Sequence, residues 1–132
     1  MRLGKASAYG VYATLHIAQS DREGPIQGRI IAKSCGIPVE YLLKILQQLV
    51  RAQVLSSERG RGGGFLLRKA AGQTNLLDIV EAIEGPIGSE LDVKKQVIIT
   101  DKARHKIEAV CGEIANHTKA KLRKTTIKQL MS

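Results

Sequence analysis

The chain has 132 residues, 43% of them hydrophobic, enough to bury one modest core with little left for a second domain. Its formal charge of +9 favours a polyanionic partner, either nucleic acid or an anionic membrane face. No apolar run reaches the roughly 18 residues of a spanning helix, and the opening MRLGKASAYG lacks the apolar block of a signal peptide. A soluble, cytoplasmic protein without a membrane partner is the expectation.

Residues 8–19, AYGVYATLHIAQ, place Val11, Leu15 and Ala18 at spacings of three and four, which predicts a first helix. SDREGP breaks it. A short second helix follows over about Arg29 to Ser34, with Ile30, Ile31 and Ala32 inward, and stops at Gly36, a residue that tolerates the left-handed turn conformation. Pro38 then suits the first turn of a third helix, because its φ is already helical and its missing N–H is no loss there. In that helix Val39, Leu42, Leu46, Leu49 and Val50 share one face, and Glu40, Lys44, Gln47, Gln48 and Arg51 lie opposite. Helix, glycine turn and amphipathic helix form the order of a helix-turn-helix.

Val54 to Glu58 and Phe65 to Arg68 read as two short strands around a glycine-rich loop, so SERGRGGGFLLR becomes a charged hairpin directly behind the presumed recognition helix. That order predicts a winged helix. TNLLDIVEAIEGP predicts a fourth helix, capped by Asn75 with Asp78 three residues on, and with Leu76, Ile79, Val80 and Ile83 inward. Residues 87–100 stay open, QVIIT being either a short strand or the lead into a helix. From Asp101 to about Arg123, Ile107, Val110, Cys111, Ile114, Thr118 and Leu122 form a narrow apolar seam, the kind that pairs with a second copy of itself. The expected fold is mainly α with a small β-hairpin wing: a winged helix-turn-helix over residues 1–72 and a dimerisation region over 73–132, packed as one chain.

Charge supports that division. Residues 1–72 carry 11 Lys and Arg against 4 Asp and Glu, a balance of +7, while residues 73–132 carry 10 against 8, a balance of +2. The anion-binding face therefore belongs to the first region. As a phosphate cradle the glycine loop fails, because it lacks the GxxxxGK[ST] spacing and has Phe65 where a GxGxxG starting at Gly60 needs glycine. Arg2 and Lys5, just before the first helix, are placed to grip phosphates, with a disordered basic start as the alternative. Arg29 joins backbone N–H groups at a helix start for the same purpose.

Two cysteines 76 positions apart, Cys35 and Cys111, make neither a disulfide framework nor a zinc spacing, and fit a reducing compartment. Both read as small packed thiols, with a redox role for Cys111 across a dimer axis as the sharper alternative. His16, His105 and His117 are too isolated to hold a metal. The chain offers no nucleophile-base pair or carboxylate dyad, and has only three tyrosines and one phenylalanine to wall a substrate pocket, so no enzyme is expected.

The stretches GIPVEYLLKILQQLVRAQVLSSERGRGGGFLLRK and LLDIVEAIEGP resemble the IscR/NsrR/CymR-type bacterial transcription regulators, also called the Rrf family. The resemblance covers roughly residues 1–86 well and the tail more loosely. It implies a homodimer with crossed C-terminal helices, presenting two winged units to a pseudo-palindromic double-stranded DNA operator. By that resemblance Pro38, Glu40, Tyr41 and Lys44 read major-groove edges, and Arg59 enters the minor groove. Gly60 lets backbone approach phosphates, and Arg61, Gln48 and Arg51 extend the basic face. Glu40 either accepts from a cytosine amino group or repels wrong sequences.

The chain departs from the family at two places. Pro38 stands where a serine is usual. Many relatives hold an iron–sulfur cluster through three cysteines between the fourth helix and the dimer helix, and IGSELDVKKQVIITDKARHK contains none, so no cluster or other cofactor is expected. A repressor is the leading expectation. A winged module binding RNA or a protein partner without operator readout is the rival.

Overall fold

Helix α1 (Lys5–Gln19) starts three residues earlier than the apolar spacing predicts, because Gly4 is extended and ends the preceding segment. The computed structural model describes residues 1–21, 23–88 and 98–131. In α1 the deepest side chains are Ser7, Ala13 and Thr14, with Val11 and Ile17 beside them and Leu15 and Ala18 half-buried against the same core. A small residue lets neighbouring side chains close onto the helix: a Cβ on Gly10 would stand 3.3 Å from Ile79 Cγ2.

Helix α2 (Gly28–Cys35) ends at Gly36, whose φ of 69° is left-handed. The Ile37 N–H reaches back to the Ala32 carbonyl at 2.9 Å, satisfying an orphan carbonyl of the last turn. Pro38 caps α3 (Val39–Arg51). There the buried face is Leu42, Ile45, Leu46 and Leu49, each 2% exposed or less. Burial of side chains of this size stabilises by about 2 kcal/mol apiece.

Two apolar assignments from sequence are corrected. Ile30 is 36% exposed and Val39 38% exposed, whereas Ile45, absent from the expected stripe, is buried. Both errors arise in first turns, where a side chain points back beyond the helix start rather than onto its neighbour.

Strands β1 (Leu55–Glu58) and β2 (Gly64–Leu67) pair antiparallel, with Leu55 opposite Leu67 and Glu58 opposite Gly64. A lone hairpin is marginal in water. This one is stitched to the segment before α2, where Ile26 and Phe65 exchange N–H···O bonds of 2.9 and 2.8 Å. Ile26 and Phe65 are both buried, so the wing is anchored by side chains as well as backbone.

After a one-turn 3₁₀ helix at Ala71–Gln73, α4 (Leu76–Glu84) is capped as expected: Asn75 Oδ1 accepts from the Asp78 N–H at 2.9 Å. Ile79 and Val80 are buried, and so is Leu77, which the spacing had left outside. Residues 89–97, holding most of the segment left open above, lie outside the described residues. Thr100 caps the long α5 (Asp101–Lys124) through the Ala103 N–H at 3.2 Å.

A final short helix, α6 (Ile127–Leu130), has no counterpart in the sequence reading. Thr126 and Gln129 form a reciprocal capping box. The Leu76 N–H donates to the Thr125 carbonyl at 2.9 Å, and the Ile127 N–H to the Thr74 carbonyl at 2.8 Å. Ile127 is fully buried in the core formed with α1, α3 and the hairpin. The end of the chain is thereby clasped to the start of α4.

Candidate nucleic-acid interface

The polar side of α3 forms an exposed basic face. Tyr41, Lys44, Gln48 and Arg51 line one open groove of about 510 Å³, with Ala6 of α1 as part of its wall. Glu40 lies exposed in the first turn of α3, where a carboxylate also complements the positive end of the helix. Gln47, expected on the polar face, lines the same groove, and so does Leu43, which was not among the expected site residues. Leu43 is 38% exposed, an apolar side chain on an otherwise polar face. Pro38 sits immediately before the helix with its ring in solvent.

The wing supplies a second basic element. Between β1 and β2 the loop turns through Gly60 and Gly62, whose φ values of 94° and 77° lie in the left-handed region, and the Gly63 N–H donates to the Gly60 carbonyl at 3.0 Å. Arg59 and Arg61 are exposed at this turn. Among the described residues neither guanidinium has an ion pair or hydrogen bond, so both charges stay available.

Gly64 explains how the wing lies against the helix-turn-helix. With φ of 148°, its Cα faces the Ile26–Gln27 peptide so closely that a Cβ would stand 2.3 Å from the Ile26 carbonyl. Gln27 is the residue before α2, so Arg29, exposed in the first turn of that helix, is carried beside the wing.

Lys5 opens α1, and its Nζ lies 5.7 Å above the centre of the Tyr9 ring. Tyr9 in turn meets Tyr41 edge-on, at 5.7 Å between centroids and 89° between planes. The structure therefore brings Lys5 to the α3 face. Arg2 is exposed in the residues ahead of α1.

The six residues of the expected apolar seam on α5 divide between two faces. Ile107, Val110 and Ile114 are 40%, 57% and 62% exposed. Cys111, Thr118 and Leu122 are half-buried and share their stripe with the buried Ala115, on the side turned toward the rest of the chain. A seam read as uniform from spacing is thus an outward strip beside an inward one.

Cys35 and Cys111 are free thiols on different helices, and among the described residues no three His, Cys, Asp or Glu side chains gather as a metal site. Burial pushes the Cys35 thiol above its ordinary range. Alkylation of Cys35 at pH 8, followed by mass spectrometry, should therefore run slower than for a small-molecule thiol. Because the folded value is the higher one, its contribution to stability is complete below the ordinary thiol range and lost as pH rises through the folded value.

Comparison with known proteins agrees with this architecture. Residues 3–132 match the Rrf2 family, described as iron-dependent transcriptional regulators. Over 84 residues the chain is 34% identical to the HTH-type transcriptional regulator IscR of Xenorhabdus nematophila, covering 64% of this chain and 51% of that protein. The IscR of Cronobacter sakazakii matches equally, with 52% of its length covered. The chain spans about half the length of the curated relatives it matches.

Among solved structures the chain is similar to CymR, the global cysteine regulator of B. subtilis, at 26% identity and a TM-score of 0.74, over 99% of this chain and 96% of that one. A transcriptional regulator from Listeria innocua is similar at 27% identity and a TM-score of 0.74, over 99% and 86% of the two chains. Nearly the whole chain is matched by the family and overlaid on these structures, and it belongs to the Rrf2 family, whose members are transcriptional regulators and not enzymes.

Proposed function

We propose that this chain is a sequence-specific DNA-binding regulator that works as a homodimer, and that it represses by occluding a promoter. The observation that carries the reading is the presence of two exposed basic elements, the α3 face and the arginine-bearing wing tip, the wing being tied to the segment before α2 by the Ile26–Phe65 bridge. An α-helix fits the major groove, and a guanidinium is drawn to the negative potential of a narrow minor groove beside it. Lys5, Arg29 and Arg51 would neutralise phosphates, while Pro38, Glu40, Tyr41 and Lys44 would face base edges with Gln48 beside them. Arg2 adds a further phosphate contact from the chain start. Residues 1–72 carry this activity, and residues 73–132 carry assembly.

The test is selection from a randomised duplex pool with the full chain. A regulator recovers one motif and binds it tighter than bulk DNA by orders of magnitude. Recovery of no motif, with equal retention of any duplex or RNA, would favour the rival module.

Homodimerisation rests on the outward strip of α5. Three large apolar side chains in one line are an unfavourable surface for a lone helix, and a second copy related by a two-fold axis would cover them. Ile114→Glu should convert the protein to a monomer in sedimentation equilibrium while leaving its thermal midpoint nearly unchanged, since Ile114 is 62% exposed within one chain.

The family description includes iron, and the donor set of this chain does not fit a thiolate-held cluster. Its two cysteines lie in α2 and α5, and residues 85–100 between α4 and α5 contain neither cysteine nor histidine. We infer that regulation here proceeds without an iron–sulfur cluster. Stoichiometric iron and sulfide in anaerobically purified protein would overturn this. The effector that modulates binding, and the cytoplasmic setting, belong to the same proposal.

A further inference from the structure

We propose that Tyr9, a residue of α1 outside the expected DNA face, is a positioning residue that fixes the ring of Tyr41 for operator readout. The inference rests on the DNA-binding reading above and goes beyond it by assigning a role to a side chain behind the interface. Tyr41 lies in the first turn of α3 and is 39% exposed, enough to leave its ring free to change rotamer. It does not stand alone. Tyr9, half-buried on α1, presents its ring at 89° to that of Tyr41 with centroids 5.7 Å apart, the edge-to-face geometry that aromatic quadrupoles favour.

Lys5 Nζ sits 5.7 Å from the Tyr9 ring centre, so the ring is also held through an ammonium at the opening of α1. The three side chains form a continuous series from the first turn of α1 to the first turn of α3. Tyr9 does not line the groove that Tyr41, Lys44 and Gln48 share. It acts through Tyr41.

The physical consequence concerns the free protein. A tyrosine that must be immobilised on binding loses rotamer freedom at that moment, whereas one already restrained loses little. Removing the Tyr9 edge should therefore weaken binding where Tyr41 is needed and leave non-specific phosphate attraction untouched. Lys5 would respond differently, because it adds charge as well as support, and its loss should lower affinity for every duplex.

The experiment uses the full chain and the duplex that the wild-type protein selects from a random pool, with a scrambled duplex of equal length as reference. Affinities are measured for Tyr9→Phe, Tyr9→Leu, Tyr41→Leu and the Tyr9→Leu/Tyr41→Leu pair, with thermal midpoints alongside. Tyr9→Phe, which keeps the ring edge, should bind within twofold of wild type. Tyr9→Leu should lose about fivefold on the selected duplex and nothing on the scrambled one. In the Tyr41→Leu background the Tyr9 change should have no further effect.

If Tyr9→Leu does not fold, Tyr9→Met fills similar volume without an aromatic edge and is expected to give the same pattern. Equal losses on both duplexes, or full additivity with Tyr41→Leu, would overturn the positioning role while the regulator reading stands. Failure of the wild-type chain to select any motif removes the DNA reading and this proposal with it.

Discussion

Arg59→Ala should weaken binding to the selected duplex by one to two orders of magnitude, the consequence of removing about 1–3 kcal/mol of contact. The side chain stands exposed at the wing turn and, among the described residues, has no ion pair to give up before it meets DNA. Among the described residues no partner competes for its donors, which leaves them to the groove. Arg59→Lys should recover only part of the loss, because an ammonium is more strongly hydrated than a guanidinium and less easily stripped of water in a narrow groove. Lys119→Ala, on α5 far along the chain from the wing, serves as the reference for a general charge effect. Titration by fluorescence anisotropy at two salt concentrations separates the cases: equal losses at Arg59 and Lys119 would sink the wing assignment.

Gly64→Ala should lower the thermal midpoint by about 10 °C, corresponding to a loss of about 3 kcal/mol or more in a domain of this size. Two effects combine. The φ of 148° is one that side chains rarely adopt, and the new methyl would stand 2.3 Å from both the carbonyl carbon and oxygen of Ile26. Backbone cannot retreat as a flexible side chain can, so the Ile26–Phe65 hydrogen bonds must break and the hairpin must lift away from α2. Gly62→Ala isolates the conformational part, since its φ of 77° is also left-handed but no atom lies within 4 Å of the would-be Cβ. That variant should cost only about 1–2 kcal/mol. Circular dichroism melts and limited proteolysis of the wing decide it; identical behaviour of the two variants would show that the close approach does not matter.

Much of this fold was written in local signals that act over a few residues. Gly36 and Pro38 marked the turn between α2 and α3, Asn75 announced its cap, and glycines between two short strand-like stretches marked the wing, because each reflects backbone geometry that only certain residues satisfy. What escaped depends on distant parts of the chain. Ile26 looked like loop between a glycine-proline pair and a helix, and only the arrival of Phe65 makes it a strand partner. Ile127 lay in a basic tail with no apolar rhythm, and its burial follows from the backbone bonds that Thr74 and Leu76 offer.

The site was legible to a similar depth. Lys44, Gln48 and Arg51 followed from helical spacing and Tyr41 from the family resemblance, and the structure gathers all four on one groove. Leu43 fell in neither the apolar stripe nor the polar face read from spacing, yet it is 38% exposed and lines that groove. A spacing of three and four also could not separate the outward Ile107, Val110 and Ile114 from the half-buried Cys111, Thr118 and Leu122. Which strip faces the chain is decided by where α4 lies.

The clasp of residues 125–127 onto residues 74–76 bears on how far apart the two heads of the proposed homodimer would stand. A long helix joined to its head by a loose tether would let each head swivel to suit operators of different lengths. Here the far end of α5 is bonded back to the body that carries the wing, so turning the helix turns the head. In the proposed two-fold pair the separation of half-sites would then be a fixed measure cut by the crossing of the two long helices.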